Sequence, residues 1–146
     1  MKKTLSVLLA LCLLCVCAAG CAEKGDTQEE NGILDLTKLS GTLVYAEVYN
    51  IMSSPDDYIG RTIKMSGPYT ANYYEPTQKY YHSVIIEDAA ACCAQGLEFE
   101  WKGEHSYPGD YPENGAKVEV TGVFGSYEEL GQTYYCLTVD GITVLG

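Results

Sequence analysis

The chain has 146 residues and is strongly acidic, with 20 Asp and Glu against 9 Lys and Arg and a formal charge of −11. Such a surface repels phosphate backbones, because nucleic-acid affinity comes largely from Lys and Arg displacing counterions, and it disfavours lying flat on anionic lipid. Nucleic acid is therefore not an expected partner, whereas cations, neutral small molecules and proteins are.

The N-terminus reads as an export signal: Lys2 and Lys3, an uncharged apolar run from Leu5 to Ala19, then the small residues Ala18, Ala19 and Gly20. The run is short for a membrane span, which needs about 20 apolar residues. Ala18-Ala19-Gly20-Cys21 resembles the bacterial lipobox, in which the Cys thiol receives a diacylglyceryl group before cleavage ahead of it. The resemblance implies a lipoprotein held at the outer face of the cell membrane by fatty acyl chains such as palmitate on Cys21. Two acyl chains satisfy the requirement for stable anchoring, at roughly 0.8 kcal/mol per buried methylene. Cleavage removes residues 1–20, which contain two lysines and no acid, so the charge becomes −13.

Residues 21–33 are polar and lack an apolar period, as in a flexible tether. The folded domain is expected over 34–146. Val44, Val48, Ile51 and Met52 fall at helical spacing, ended by Ser53-Ser54-Pro55. Tyr45 and Tyr49 would also suit a strand, but the spacing favours a helix. Asp56 to Gly60 reads as a turn, and Asp56-Asp57 lacks the spaced oxygen ligands of a calcium site.

Five strand-like runs follow: Thr62 to Gly67, Ser83 to Glu87, Leu97 to Trp101, Val118 to Phe124, and Tyr134 to Val144. Glu128 to Gly131 is expected to join the last two as a hairpin. The apolar phase shifts between Val139 and Ile142, which predicts a bulge at Gly141. The link from Lys102 to Ala116 contains Pro108, Gly109, Pro112 and Gly115 and is expected to be irregular. The architecture predicted is mainly β: a five-stranded OB-like barrel preceded by a short helix, with Gly67 and Gly122 where strands bend to close it.

Pro55 to Arg61, Asp88 to Phe99 and Val118 to Gly122 resemble segments of small OB-like lipoproteins of unknown function from Gram-positive bacteria. A more distant likeness is to the OB-like tail of an accessory subunit of a two-gene permease, which also has two cysteines ahead of a Gly-Leu strand start. The resemblance implies fold and location and assigns no activity.

The sequence carries no Gly-x-Ser-x-Gly elbow, His-Glu-x-x-His pair, P-loop or Gly-x-Gly-x-x-Gly. A thiol-based redox or Cys-dependent enzyme would use Cys92 or Cys93 with His82 as base. In an OB barrel the third and fifth strands run parallel side by side, which suggests that Cys92 and Cys93 share one end of the sheet with Cys136. Three readings stay open: a disulfide from Cys136 to one of the pair, a zinc or other soft-metal site with His82 or Asp88, or inert thiols. Ligand contact is expected where OB barrels usually bind, at the loops joining the first two and the last two strands. The first would hold Tyr69, Tyr73, Tyr74, Tyr80 and Tyr81, and the second Tyr127, Glu128 and Glu129. The same tyrosines also suit strand-end packing. The function expected is a non-enzymatic binding module for a small ligand, a metal ion or an envelope protein, accessory to transport or to the envelope.

Overall fold

The computed structural model describes residues 29–30, 32–88, 90 and 93–146. The expected signal peptide, Cys21 and Cys92 lie outside the described residues. Among the described residues, no helix is long and apolar enough to cross a membrane.

Helix α1 spans Gly41–Ser53 and stops where Pro55 opens a single 3-10 turn, Pro55–Asp57. Proline suits such a first position, where its missing N–H costs nothing. Val48 and Ile51 are fully buried and Val44 and Tyr45 partly so, as the helical spacing predicts. Met52, placed on the same stripe by sequence, points outward.

The expected five-stranded barrel is present. Its strands are β3 (Thr62–Tyr74), β4 (Lys79–Glu87), β5 (Ala94–Trp101), β6 (Lys117–Glu129) and β7 (Gln132–Val144). Two short strands precede them, β1 (Glu29–Glu30) and β2 (Ile33–Asp35). The sheet order is β1-β2-β3-β4-β5-β7-β6, and β3 pairs with β6 to close it. Closure works because β3 changes partner midway: Thr62 to Pro68 pair with β6, and Tyr69 to Tyr74 pair with β4. Gly67 sits at the changeover, where a Cβ would lie 2.2 Å from the Ile85 carbonyl oxygen. Gly122 likewise meets the Thr138 carbonyl, so both predicted bends are places where only glycine fits.

The parallel neighbours β5 and β7 and the bulge are as expected. Val120 pairs with Ile142 but Gly122 with Val139, so β7 carries one extra residue at Asp140-Gly141. Two boundaries differ. β2 pairs in parallel with the start of β3, so ordered pairing begins within the stretch expected as tether. The tyrosine-rich segment is no loop: β3 and β4 stay paired out to Tyr74 and Lys79, with only residues 75–78 turning. Cross-strand ring pairs, Tyr73 with Tyr80 and Tyr74 with Tyr81, hold this arm together. The β6–β7 arm is similar, so Glu128 and Glu129 are strand residues and only Leu130 and Gly131 turn.

The core runs through the barrel from Val48, Ile51 and Ile86 at the α1 end to Tyr69, Leu97, Phe99, Phe124 and Leu137. The irregular link after β5 crosses the other end and packs Tyr107 and Tyr111 against it.

Candidate functional site

Alternation along two strands makes the site. On β5, Leu97 and Phe99 are buried and Glu98 and Glu100 stand on the outer face. On β4, His82, Val84 and Ile86 are buried and Tyr81 faces out. The two hairpin arms extend past the barrel and wall this outer face, β3–β4 with Tyr74 and β6–β7 with Tyr127 and Tyr134. The result is a groove of about 320 Å³ lined by Lys79, Tyr81, Glu98, Glu100, Tyr127 and Cys136. A further 280 Å³ space shares Tyr81, Glu98 and Tyr127 and adds Tyr74 and Tyr134.

Hydrogen bonds hold the groove in shape. The Tyr127 hydroxyl donates to Glu98 Oε1 (2.7 Å), and Lys79 Nζ donates to Glu129 Oε1 (2.9 Å). The Tyr81 hydroxyl donates to the other Glu129 oxygen, joining the two arms. Glu129 is therefore held below the usual carboxylate range, by the Tyr81 hydroxyl first and by Lys79. Glu98 moves the opposite way. Burial pushes its carboxyl up against the Tyr127 hydrogen bond, and Glu129 and Glu100 add repulsion. Burial also pushes the Cys136 thiol up to about 11, with Glu98 and Glu100 adding to it. At neutral pH Cys136 is a protonated thiol and no nucleophile.

Behind the groove lies an aromatic cap. The hydroxyl of Tyr69 and Nδ1 of His82 are 2.7 Å apart, and Tyr111 stacks on the imidazole at 3.9 Å between ring centres. Burial lowers the His82 pKa, so the ring is neutral at pH 7. Tyr69→Phe would leave that ring nitrogen without its partner in a buried site, a loss of about 1–3 kcal/mol measurable by urea unfolding. The sign of the pH effect also follows. A buried neutral histidine stabilises above its ordinary value of 6.5, and that contribution is lost as pH falls through the range below it.

The expected ligand-surface tyrosines do not stay together. Tyr74, Tyr81 and Tyr127 line the groove, Tyr69 is core, and Tyr80, also at the groove, packs against both Tyr73 and Tyr107 at the edge of the cap. Sequence reasoning passed over Glu98, Glu100 and Tyr134. The two glutamates were visible as the polar half of the clean alternation Leu97-Glu98-Phe99-Glu100-Trp101.

Of the expected cysteine contacts, the one between Cys93 and Cys136 is absent, and Cys92 lies outside the described residues. Cys136 pairs with Glu98, five residues along β5 from Cys93, so about 16 Å separates the two at roughly 3.3 Å per residue. No disulfide joins them, and Cys136 is a free thiol. Cys93 sits beside Asp88, whose N–H donates to the Cys93 carbonyl (3.0 Å), at the end of β4 remote from His82. Among the described residues, no three His, Cys, Asp or Glu side chains are grouped to hold a metal. His82, Asp88, Cys93 and Cys136 thus form no common site. No protein-family model matches this sequence, and no curated protein matches it.

Proposed function

We propose that this chain is a non-enzymatic binding module, tethered outside the membrane by lipid on Cys21 and using the groove between its two hairpin arms as the ligand site. It would serve as an accessory part of a transport or envelope system. The observation that carries the reading is the groove itself: tyrosine walls over carboxylates, at the face where OB barrels usually take ligands. Its volume lies at the lower end of the range for small-molecule sites. Nucleic acid is a poor fit. Lys64, Lys79 and Lys102 each face a carboxylate, at 3.0, 2.9 and 2.8 Å, and the groove is acidic. The alternative, thiol chemistry at Cys92 or Cys93 with His82 as base, has less support: Cys93 lies at the end of β4 remote from His82, and His82 is engaged with Tyr69.

The test has two arms. Cys21→Ser should release the protein from membranes or leave its precursor uncut, and unchanged membrane retention would overturn the anchoring. Isotope-labelled protein titrated with small amines, oligosaccharides and short peptides should show shifts at Tyr81, Glu98 and Tyr127. A panel that shifts only residues outside the groove would overturn the site.

A further inference from the structure

We propose that the groove selects an organic cation, an alkylammonium or alkylguanidinium group seated over Glu98 and Glu100 between the tyrosine walls. The inference rests on the groove being the ligand site and adds the chemical class of the ligand. Charge comes first. Among the described residues, four carboxylates line the space, Glu98, Glu100, Glu128 and Glu129, and Lys79 is the one cation lining it. Lys79 is already committed to Glu129. Glu128 accepts from the Thr133 hydroxyl (2.5 Å) and Glu98 from Tyr127, so among the described residues these two have neutral donors and no counter-charge there. An anion would be repelled, and a neutral ligand would leave the mutual repulsion of Glu98, Glu100 and Glu129 in place.

The walls decide what kind of cation fits. Tyr127 and Tyr134 stack at 5.5 Å on one arm, and Tyr74 and Tyr81 meet edge to face at 6.3 Å on the other. Aromatic faces beside carboxylates suit a large, weakly hydrated cation, which gains from ring quadrupoles as well as from charge. A small inorganic cation wants a close shell of oxygen ligands instead, which the described residues do not assemble. The Tyr127 hydroxyl donates to a carboxylate, which leaves its ring more electron-rich.

A proton linkage follows. Glu98 is faced by Glu100 on its own strand, Tyr127 and Glu129 on β6, Cys136 on β7, and Tyr81 and Lys79 on β4. A cation bound there draws its raised carboxyl down, so binding releases a proton and tightens as pH rises through that carboxyl's range.

The experiment is calorimetry on the purified protein at low salt with four probes: butylguanidinium, a pentapeptide bearing two arginines, maltotriose and calcium chloride. The first two separate a free cation from a peptide-borne one, and binding by either supports the proposal. Glu98→Gln keeps an acceptor for Tyr127 and should fold, as its melting curve will report. It should weaken cation binding at least fivefold, and with Glu100→Gln at least twentyfold, and remove the pH dependence. Cation affinity unchanged in that double variant overturns the proposal. Maltotriose or calcium binding in the groove while both cations fail overturns the cation class and leaves the groove standing. Failure of all four probes to bind counts against both.

Discussion

Phe124→Ala should destabilise the protein by about 3–5 kcal/mol, the usual cost of removing a fully buried phenylalanine. The side chain has no solvent exposure, and its ring stacks on Tyr135 with 6.0 Å between centres. Position explains why the cost belongs at the upper end. The Phe124 N–H donates to the Arg61 carbonyl (2.9 Å), its carbonyl accepts from the Gly60 N–H (2.8 Å), and it pairs with Leu137 on β7. A backbone pinned on both sides cannot sink into the space that the ring vacates. Urea unfolding should show a lower midpoint with an unchanged slope. A loss below about 1 kcal/mol would mean that the site collapses freely, against this account.

The second large effect needs only one methyl group. Gly67→Ala places a Cβ 2.2 Å from the Ile85 carbonyl oxygen, a backbone atom that cannot rotate away. Relief requires β3 and β4 to part where β3 changes partner, so the cost should reach about 3 kcal/mol, the upper part of the overpacking range. Gly125→Ala is the matched control, because a Cβ there meets nothing within 4 Å. That change should be neutral or slightly stabilising, by up to about 1 kcal/mol. Equal losses at both positions would point to a general intolerance of β-propensity changes rather than to closure of the barrel.

Much of the fold could be read from side-chain period. Leu97 to Trp101 and Val118 to Phe124 alternate cleanly because one face of each strand is core and the other is not. Helix α1 was legible from Val44, Val48 and Ile51, and the bulge from the phase slip between Val139 and Ile142. The arms were harder to see. In Tyr73-Tyr74 and Tyr80-Tyr81 both faces carry the same residue type, so no alternation marks the strand, although the rings pair across it. That run therefore reads as a loop in the sequence, which groups the tyrosines of the groove with those of the cap.

The cysteines expose a different limit. Strand order made β5 and β7 parallel neighbours, as expected, but proximity also depends on register. Glu98 rather than Ala94 aligns with Cys136, and nothing in the local sequence marks a stagger of that size. Glu98 and Glu100 were in plain view as alternating residues. Their importance came only from the arms, which wall the face they share and leave Glu98 partly buried while Glu100 stays exposed.

Glu129 has a consequence for mechanics. Its two oxygens reach across to Lys79 and Tyr81, so the free ends of both hairpins are laced together above the barrel. Left separate, each arm would flex about its own root, and a ligand would have to hold two moving jaws still. Laced, they swing as one stiff frame, and the entropy of arresting them is spent during folding rather than at capture. The space between them should therefore change little in shape on occupancy, with arrival limited by diffusion and charge rather than by closure.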